Sequence, residues 1–284
     1  MSHAVSTNPK HCKVFLLGTS ALVCLALAAP VMADDFVITG SDNSTNGTGT
    51  TNGGTAAAIA DTAINGSDTV SLGIALTTTG TNVGIKTTGG TNKVTVSEAG
   101  SITTGGNYAY GIYHTGDTNT NTVSGSITTT GDDSYGIHNK GDTNTTTVSG
   151  SITTGGVDST GIWDNGDTNT TTLTSTGVIT VNGAKSDGIY NDGVNNITIV
   201  HGSIFVNGNG ESRSGGWSSG ISNIGNTNTT TLSGSIKGTG DYLAGIYNEG
   251  DSNTTTVSGS ITTDGTEAYG IYIYGNNNKT TVSG

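Results

Sequence analysis

Four aspartates recur at one corner motif, Gly-Asp-x-Asn: Asp117, Asp142, Asp167 and Asp251. If the units that carry them stack, the carboxyls of the first three line up about 5 Å apart. Such a column could bind a cation or supply the acid and base of a polysaccharide-cleaving enzyme. Asn226 and Asn276 replace Asp at the same corner without disturbing the motif, as a turn residue allows and a metal ligand or catalyst does not. The aspartates are therefore expected to be turn residues. His114, His138 and His201 show no ligand spacing, and no serine-nucleophile motif or phosphate-cradling loop is visible. The expectation is a protein that is not an enzyme and has no metal site and no cofactor.

Binding is better supported. An outward aromatic column is expected at Tyr113, His138, Trp163, Tyr190, Tyr247 and Tyr272, the residues that follow recurrent Gly-Ile pairs. It could contact a receptor or a glycan, or simply stiffen a sheet. One unit carries an insertion of seven residues, giving the segment Asn207 to Ser219 with Glu211, Arg213 and Trp217. Arg213 is the chain's one arginine, and an irregular loop with Arg and Trp is the first place to expect recognition.

The elements that position these residues come from a repeat. Gly-Ile recurs at Gly84, Gly111, Gly136, Gly161, Gly188, Gly220, Gly245 and Gly270, with spacings of 27, 25, 25, 27, 32, 25 and 25. An Asn follows each of those glycines by eight residues, from Asn92 to Asn278. Ile102 begins a second aliphatic series and Val96 a third. Each unit thus holds three short β-branched stretches separated by Gly, Asp and Asn turns. Such short strands are best satisfied when each turn of chain pairs in parallel with the one before, so the fold class is all-β, a parallel β-helix of about nine coils with three strands per coil. One aliphatic side chain per strand is expected inside. Asn suits the corner because it tolerates the left-handed conformation and can hydrogen-bond to its copies in adjacent coils. Ile137→Asp should abolish folding, whereas Thr146 should tolerate change.

Composition sets limits. The chain has 284 residues, 47 Gly, two Pro and a formal charge of -12, with no basic stretch to neutralise phosphates, so nucleic-acid binding is not expected. Lys10 and Lys13 precede an apolar run from Val14 to Ala29, and Val31-Met32-Ala33 fits a signal-peptidase site. Residues 1–33 are read as a Sec signal peptide whose removal takes away both cysteines, leaving no disulfide and no membrane span in the mature chain. Residues 34–53 read as a low-complexity lead-in and 54–284 as the β-helix.

The motifs Gly-Ser-Ile-Thr-Thr, Tyr-Gly-Ile-Tyr and Gly-Asp-Thr-Asn-Thr-Thr-Thr-Val-Ser-Gly resemble repeats of autotransporter passenger domains of Gram-negative bacteria, over about residues 54–284. The resemblance implies a right-handed β-helix displayed at the cell surface or released outside, and an outer-membrane β-barrel to anchor it. No barrel segment is present before Gly284, which falls within a repeat, so a truncated reading frame is expected. The function expected is an exported adhesin or display stalk that meets a host-cell or surface receptor or a glycan. The alternatives are a polysaccharide-cleaving β-helix enzyme and an ice-binding solenoid. Ice binding is suggested by the Thr pairs Thr120/Thr122, Thr145/Thr147, Thr170/Thr172, Thr229/Thr231 and Thr254/Thr256, an array broken by Ile197, Ile199 and Lys279.

Overall fold

The computed structural model describes residues 35–38, 59–60, 69–73, 75–211 and 216–283. Every strand in it is parallel to its neighbours, and the strands fall into three sheets of ten, eight and nine. The chain visits the three sheets in rotation, one strand of each per coil, and returns one coil higher. This is an all-β parallel solenoid of about eight coils, near the nine read from the repeat. Among the described residues there is no helix.

The first sheet runs from Thr69–Leu72 to Lys279–Val282 and carries the Thr-rich strands. The second runs from Ala75–Thr78 to Ser260–Asp264 and carries most of the Ser-Ile strands. The third runs from Ile85–Thr88 to Tyr269–Tyr274 and follows the Gly-Ile pairs. Short strands pair at the starting edge of the first and third sheets, Asp35–Ile38 with Thr69–Leu72 and Ile59–Ala60 with the strand from Ile85. The signal-peptide reading lies outside the described residues, as does the lead-in apart from that first strand.

Register is strict. Ile127 pairs with Ile102 and Ile152, Ile137 with Ile112 and Ile162, and Val148 with Val123 and Leu173. These aliphatics are fully buried and stack into three columns. Because a one-residue slip would turn each of them outward, the pattern fixes the pairing. The Gly of each Gly-Ile pair is required by close approach: a Cβ at Gly161 would sit 2.5 Å from the Gly188 carbonyl oxygen and 2.6 Å from Ile179 Cγ2.

Two expectations are corrected. Each strand turns two side chains inward, not one, because four residues of alternating pleat put both the second and the fourth, or the first and the third, on the inner face. The additional inward position is polar in most coils: Thr146, Thr171 and Thr198 in the first sheet, Thr104, Thr129 and Thr154 in the second, and His114, Asn139 and Asp164 in the third. Thr146 is therefore a buried core residue and not a tolerant one. The second correction concerns the corner, where the left-handed residue is the one before the Asn. Thr118, Thr143 and Thr168 have φ of 61, 58 and 57°, an outlying conformation for a β-branched residue. Each of these Thr hydroxyls donates to the carbonyl oxygen of the preceding Asp at 2.6 to 2.7 Å.

Candidate functional site

The corner Asn forms a ladder. The Asn119 backbone N–H donates to Asn144 Oδ1 at 2.8 Å, Asn144 N–H to Asn169 Oδ1 at 2.7 Å, and the series extends from Asn92 to Asn278. The Nδ2 of Asn119 turns back to the Gly116 carbonyl at 2.8 Å, so the amide closes its own turn and caps the neighbouring one. A parallel serine ladder, from Ala109 N–H through Ser134, Ser159, Ser186 and Ser218, does the same at another corner. Ser holds that position in four successive coils, between Ala109 and Leu243, and spacings of 25, 27 and 32 residues separate its copies.

The Asp column is a third ladder. Asp142 N–H donates to Asp117 Oδ1 at 2.8 Å, Asp167 N–H to Asp142 Oδ1 at 2.7 Å, and Val194 N–H to Asp167 Oδ1 at 2.8 Å. Asn226 takes the same role for Asp251 at 2.7 Å, which is why amide and carboxylate interchange there. One oxygen of each of these carboxylates is thus engaged with backbone, and the groups are spread along an exposed edge. Among the described residues, no three His, Cys, Asp or Glu side chains gather as a metal site would require.

The expected aromatic residues do face outward on the third sheet, in two groups. Tyr113, His138, Trp163 and Tyr190 stand on successive rungs. Tyr113 and His138 are 5.0 Å apart at 28°, His138 and Trp163 4.5 Å apart at 4°, and Trp163 meets Tyr190 edge-on at 5.7 Å. Ser222 then breaks the column before Tyr247 and Tyr272, which stack at 5.6 Å and 7°. A second column stands beside the first on the residue before each Gly-Ile pair. Tyr110 and Tyr135 stack there at 5.0 Å and 4°; Thr160, Asp187, Ser219 and Ala244 then occupy the position, and an aromatic returns to it only at Tyr269, 5.4 Å from Tyr272. The Tyr-Gly-Ile triplets carried that signal in plain view. Within the stacked pairs the rings face one another, and Trp163 Nε1, on a ring edge, is buried with no partner.

Burial in this wall shifts the titrating groups. It raises the Tyr110, Tyr113, Tyr135, Tyr190 and Tyr247 phenols above their usual range, with the neighbouring Glu249 carboxylate adding to the effect at Tyr247. It lowers His138 to about 4, with Lys140 acting in the same direction, and neither ring nitrogen of His138 has a partner. Asp187, buried on the second aromatic column's line, is raised to about 7 by desolvation despite its hydrogen bonds to Ser219.

The insertion loop is pinned at its base. Gly210 N–H donates to the Asp241 carbonyl at 2.8 Å, and Glu211 N–H to that of Gly216 at 2.8 Å. Glu211 reaches Lys185 at 3.7 Å, and Lys185 also pairs with Asp158 at 3.2 Å. Trp217 leans the other way, 5.0 Å from Tyr272, 5.3 Å from Tyr269 and 6.2 Å from Tyr247. Trp217, Tyr247 and Tyr272 are thus brought together, Tyr113, Trp163 and Tyr190 form a separate group, and Glu211 joins neither. Arg213 lies outside the described residues.

The class these features define is a parallel β-solenoid bound by side-chain ladders, with an aromatic wall and one inserted loop. No family model, curated protein or solved structure matches the chain. No helix among the described residues is long and apolar enough to cross a membrane.

Proposed function

We propose that the chain is an exported, non-enzymatic surface rod, an adhesin or display stalk like the autotransporter passengers it resembles, carried outside the cell by way of the outer membrane. The observation that supports this reading is the uniformity of the coils beside one anchored irregularity. Ladder after ladder repeats from coil to coil among the described residues, while the described ends of the inserted segment are fixed by Lys185 on one side and the Trp217 cluster on the other. Repetition gives reach and stiffness, and the loop with its neighbouring aromatic side chains gives a surface on which a receptor or glycan can be distinguished. The test is binding of the immobilised full chain to a glycan panel and to host-cell surfaces, beside a variant lacking residues 211–215. Binding that falls at least tenfold on deletion supports the reading, and a chain that binds neither, or binds unchanged without the loop, removes the loop from it.

One observation favours a second reading. Thr120, Thr145 and Thr170 form one outward column of the first sheet, and Thr122, Thr147 and Thr172 another, in strict register. Flat Thr arrays at the strand spacing suit an ice lattice. Thermal hysteresis in a solution of the full chain tests it, and its absence dismisses ice binding.

A further inference from the structure

A hydrogen-bonded polar spine runs inside the solenoid along the inner faces of the first and third sheets. In its lower part, His114 Nε2 meets Asn121 Oδ1 at 2.6 Å, and Asn121 Nδ2 donates to Asn139 Oδ1 at 3.0 Å. Asn139 Nδ2 donates to Asp164 Oδ1 at 2.7 Å, and Thr171 Oγ1 donates to Asp164 Oδ2 at 2.6 Å. In its upper part, Asn191 Nδ2 donates to Asn223 Oδ1 at 2.7 Å, and Asn223 Nδ2 to Asn248 Oδ1 at 2.7 Å. From Asn121 to Asn248, every amide-to-acceptor step between coils points toward the later coil. One joint is missing. Asp164 pairs in register with Asn191, yet Asn191 Oδ1 is buried with no partner. An acceptor faces a carboxyl group across that joint, and two acceptors cannot bond without a proton between them.

We propose that Asp164 is held as a neutral carboxylic acid in the folded protein, its O–H donating to Asn191 Oδ1 and joining the two parts into one spine from His114 to Asn248. Nothing charged opposes this. The inward side chains around Asp164 are Asn139 and Asn191 on its own sheet, Thr146, Thr171 and Thr198 on the first, and Ile152, Thr154, Ile179 and Val181 on the second. No cation is among them to hold a carboxylate, and His114, two coils earlier, is the nearest titratable member of the spine. Complete burial raises the Asp164 carboxyl above its usual range, against the opposing hydrogen bonds from Asn139 and Thr171. Loss of the proton would set a carboxylate against the Asn191 carbonyl and weaken the joint between two coils that backbone pairing still holds together. Asp164 is therefore an alkaline-sensitive joint in the middle of the rod.

The test is infrared spectroscopy of the full chain at pH 7 in an Asp187→Asn background, with and without Asp164→Asn, alongside thermal melting from pH 5 to 9. The expected result is a protonated-carboxyl C=O band that Asp164→Asn removes, and a midpoint that falls with rising pH only when Asp164 is present. The introduced amide should at least preserve stability at pH 8, since it can accept from Asn139 and donate to Asn191. An ionised Asp164 at pH 7 would overturn the proposal. If Asp164→Asn fails to fold, an isotope-edited carboxyl band in the Asp187→Asn chain decides by its presence or absence.

Discussion

Asn144 Oδ1 accepts two donors from Asn119, the backbone N–H at 2.8 Å and the side-chain Nδ2 at 3.1 Å. One amide oxygen thus holds two successive coils at their corner. Asn144→Ala leaves the Asn119 N–H buried without an acceptor and frees the Gly141 carbonyl from its bond to Asn144 Nδ2. The expected loss is about 1–3 kcal/mol in denaturant unfolding. Asn144→Asp, which keeps the acceptor, should lose less at neutral pH.

Ile137 and Thr146 should both prove intolerant, for different reasons. Ile137→Asp places an unpaired charge in the aliphatic column and should abolish the β signal in circular dichroism. Thr146→Val preserves shape, but Thr146 Oγ1 receives Asn139 Nδ2 at 3.0 Å and Asn121 Nδ2 at 3.3 Å. Removing it should cost about 1–3 kcal/mol in the same unfolding measurement.

Much of this was legible because a repeat prints its contacts many times over. Period, strand number, parallel pairing and the aliphatic columns all follow from Gly-Ile, Ser-Ile and the Val of each Thr-rich strand. The polar half of the core was not legible, since Thr146 between two outward Thr looks like any β-former, and only stacking on its own kind gives its hydroxyl a reason to be inside. The aromatic series at Tyr113, Trp163, Tyr190, Tyr247 and Tyr272 was placed on the correct face. That its rings spend their faces on one another depends on side-chain torsions no sequence spacing reports. The role of Glu211 as the partner of Lys185 crosses coils of unequal length, and the irregular spacing hid it.

Acid should weaken the rod through its buried histidines. Burial lowers both His114 and His138 to about 4, so the folded chain binds fewer protons than the unfolded one below about pH 6.5. Their contribution is fully present above that pH and is lost as pH falls toward 4. His138→Phe should flatten part of this acid limb in thermal melts from pH 7 to 4, and should raise stability by removing two unpartnered ring nitrogens from an aromatic stack.

Asp187 acts in the opposite direction. Its carboxyl is raised from the ordinary value near 4 to about 7, so the folded state binds the extra proton. Stability is fully present below about pH 4 and declines as pH rises through 7, by about 4 kcal/mol at most. Asp187→Asn should reduce the fall in melting midpoint between pH 5 and pH 8, leaving only the part that Asp164 contributes.

The loop should separate from the fold. Deleting residues 211–215 should leave the far-ultraviolet circular dichroism spectrum unchanged. Trp217→Ala should lower stability by about 1–3 kcal/mol, because it strips a ring from the Tyr247, Tyr269 and Tyr272 cluster. A collapse of β signal on deletion would place the loop inside the structure instead.

The ladders do not all run the same way. An Asn N–H waits for the oxygen of the Asn one coil later, whereas an Asp oxygen waits for the N–H of the residue one coil later. Each completed coil therefore presents, on a single face, both an open donor and an open acceptor placed for its successor. That is the geometry of a crystal face during layer-by-layer growth: each layer is the seed for the next, and a layer with the wrong phase finds no match. Assembly should accordingly advance from a front and dissolve from one, with the slow event being the first pair of layers.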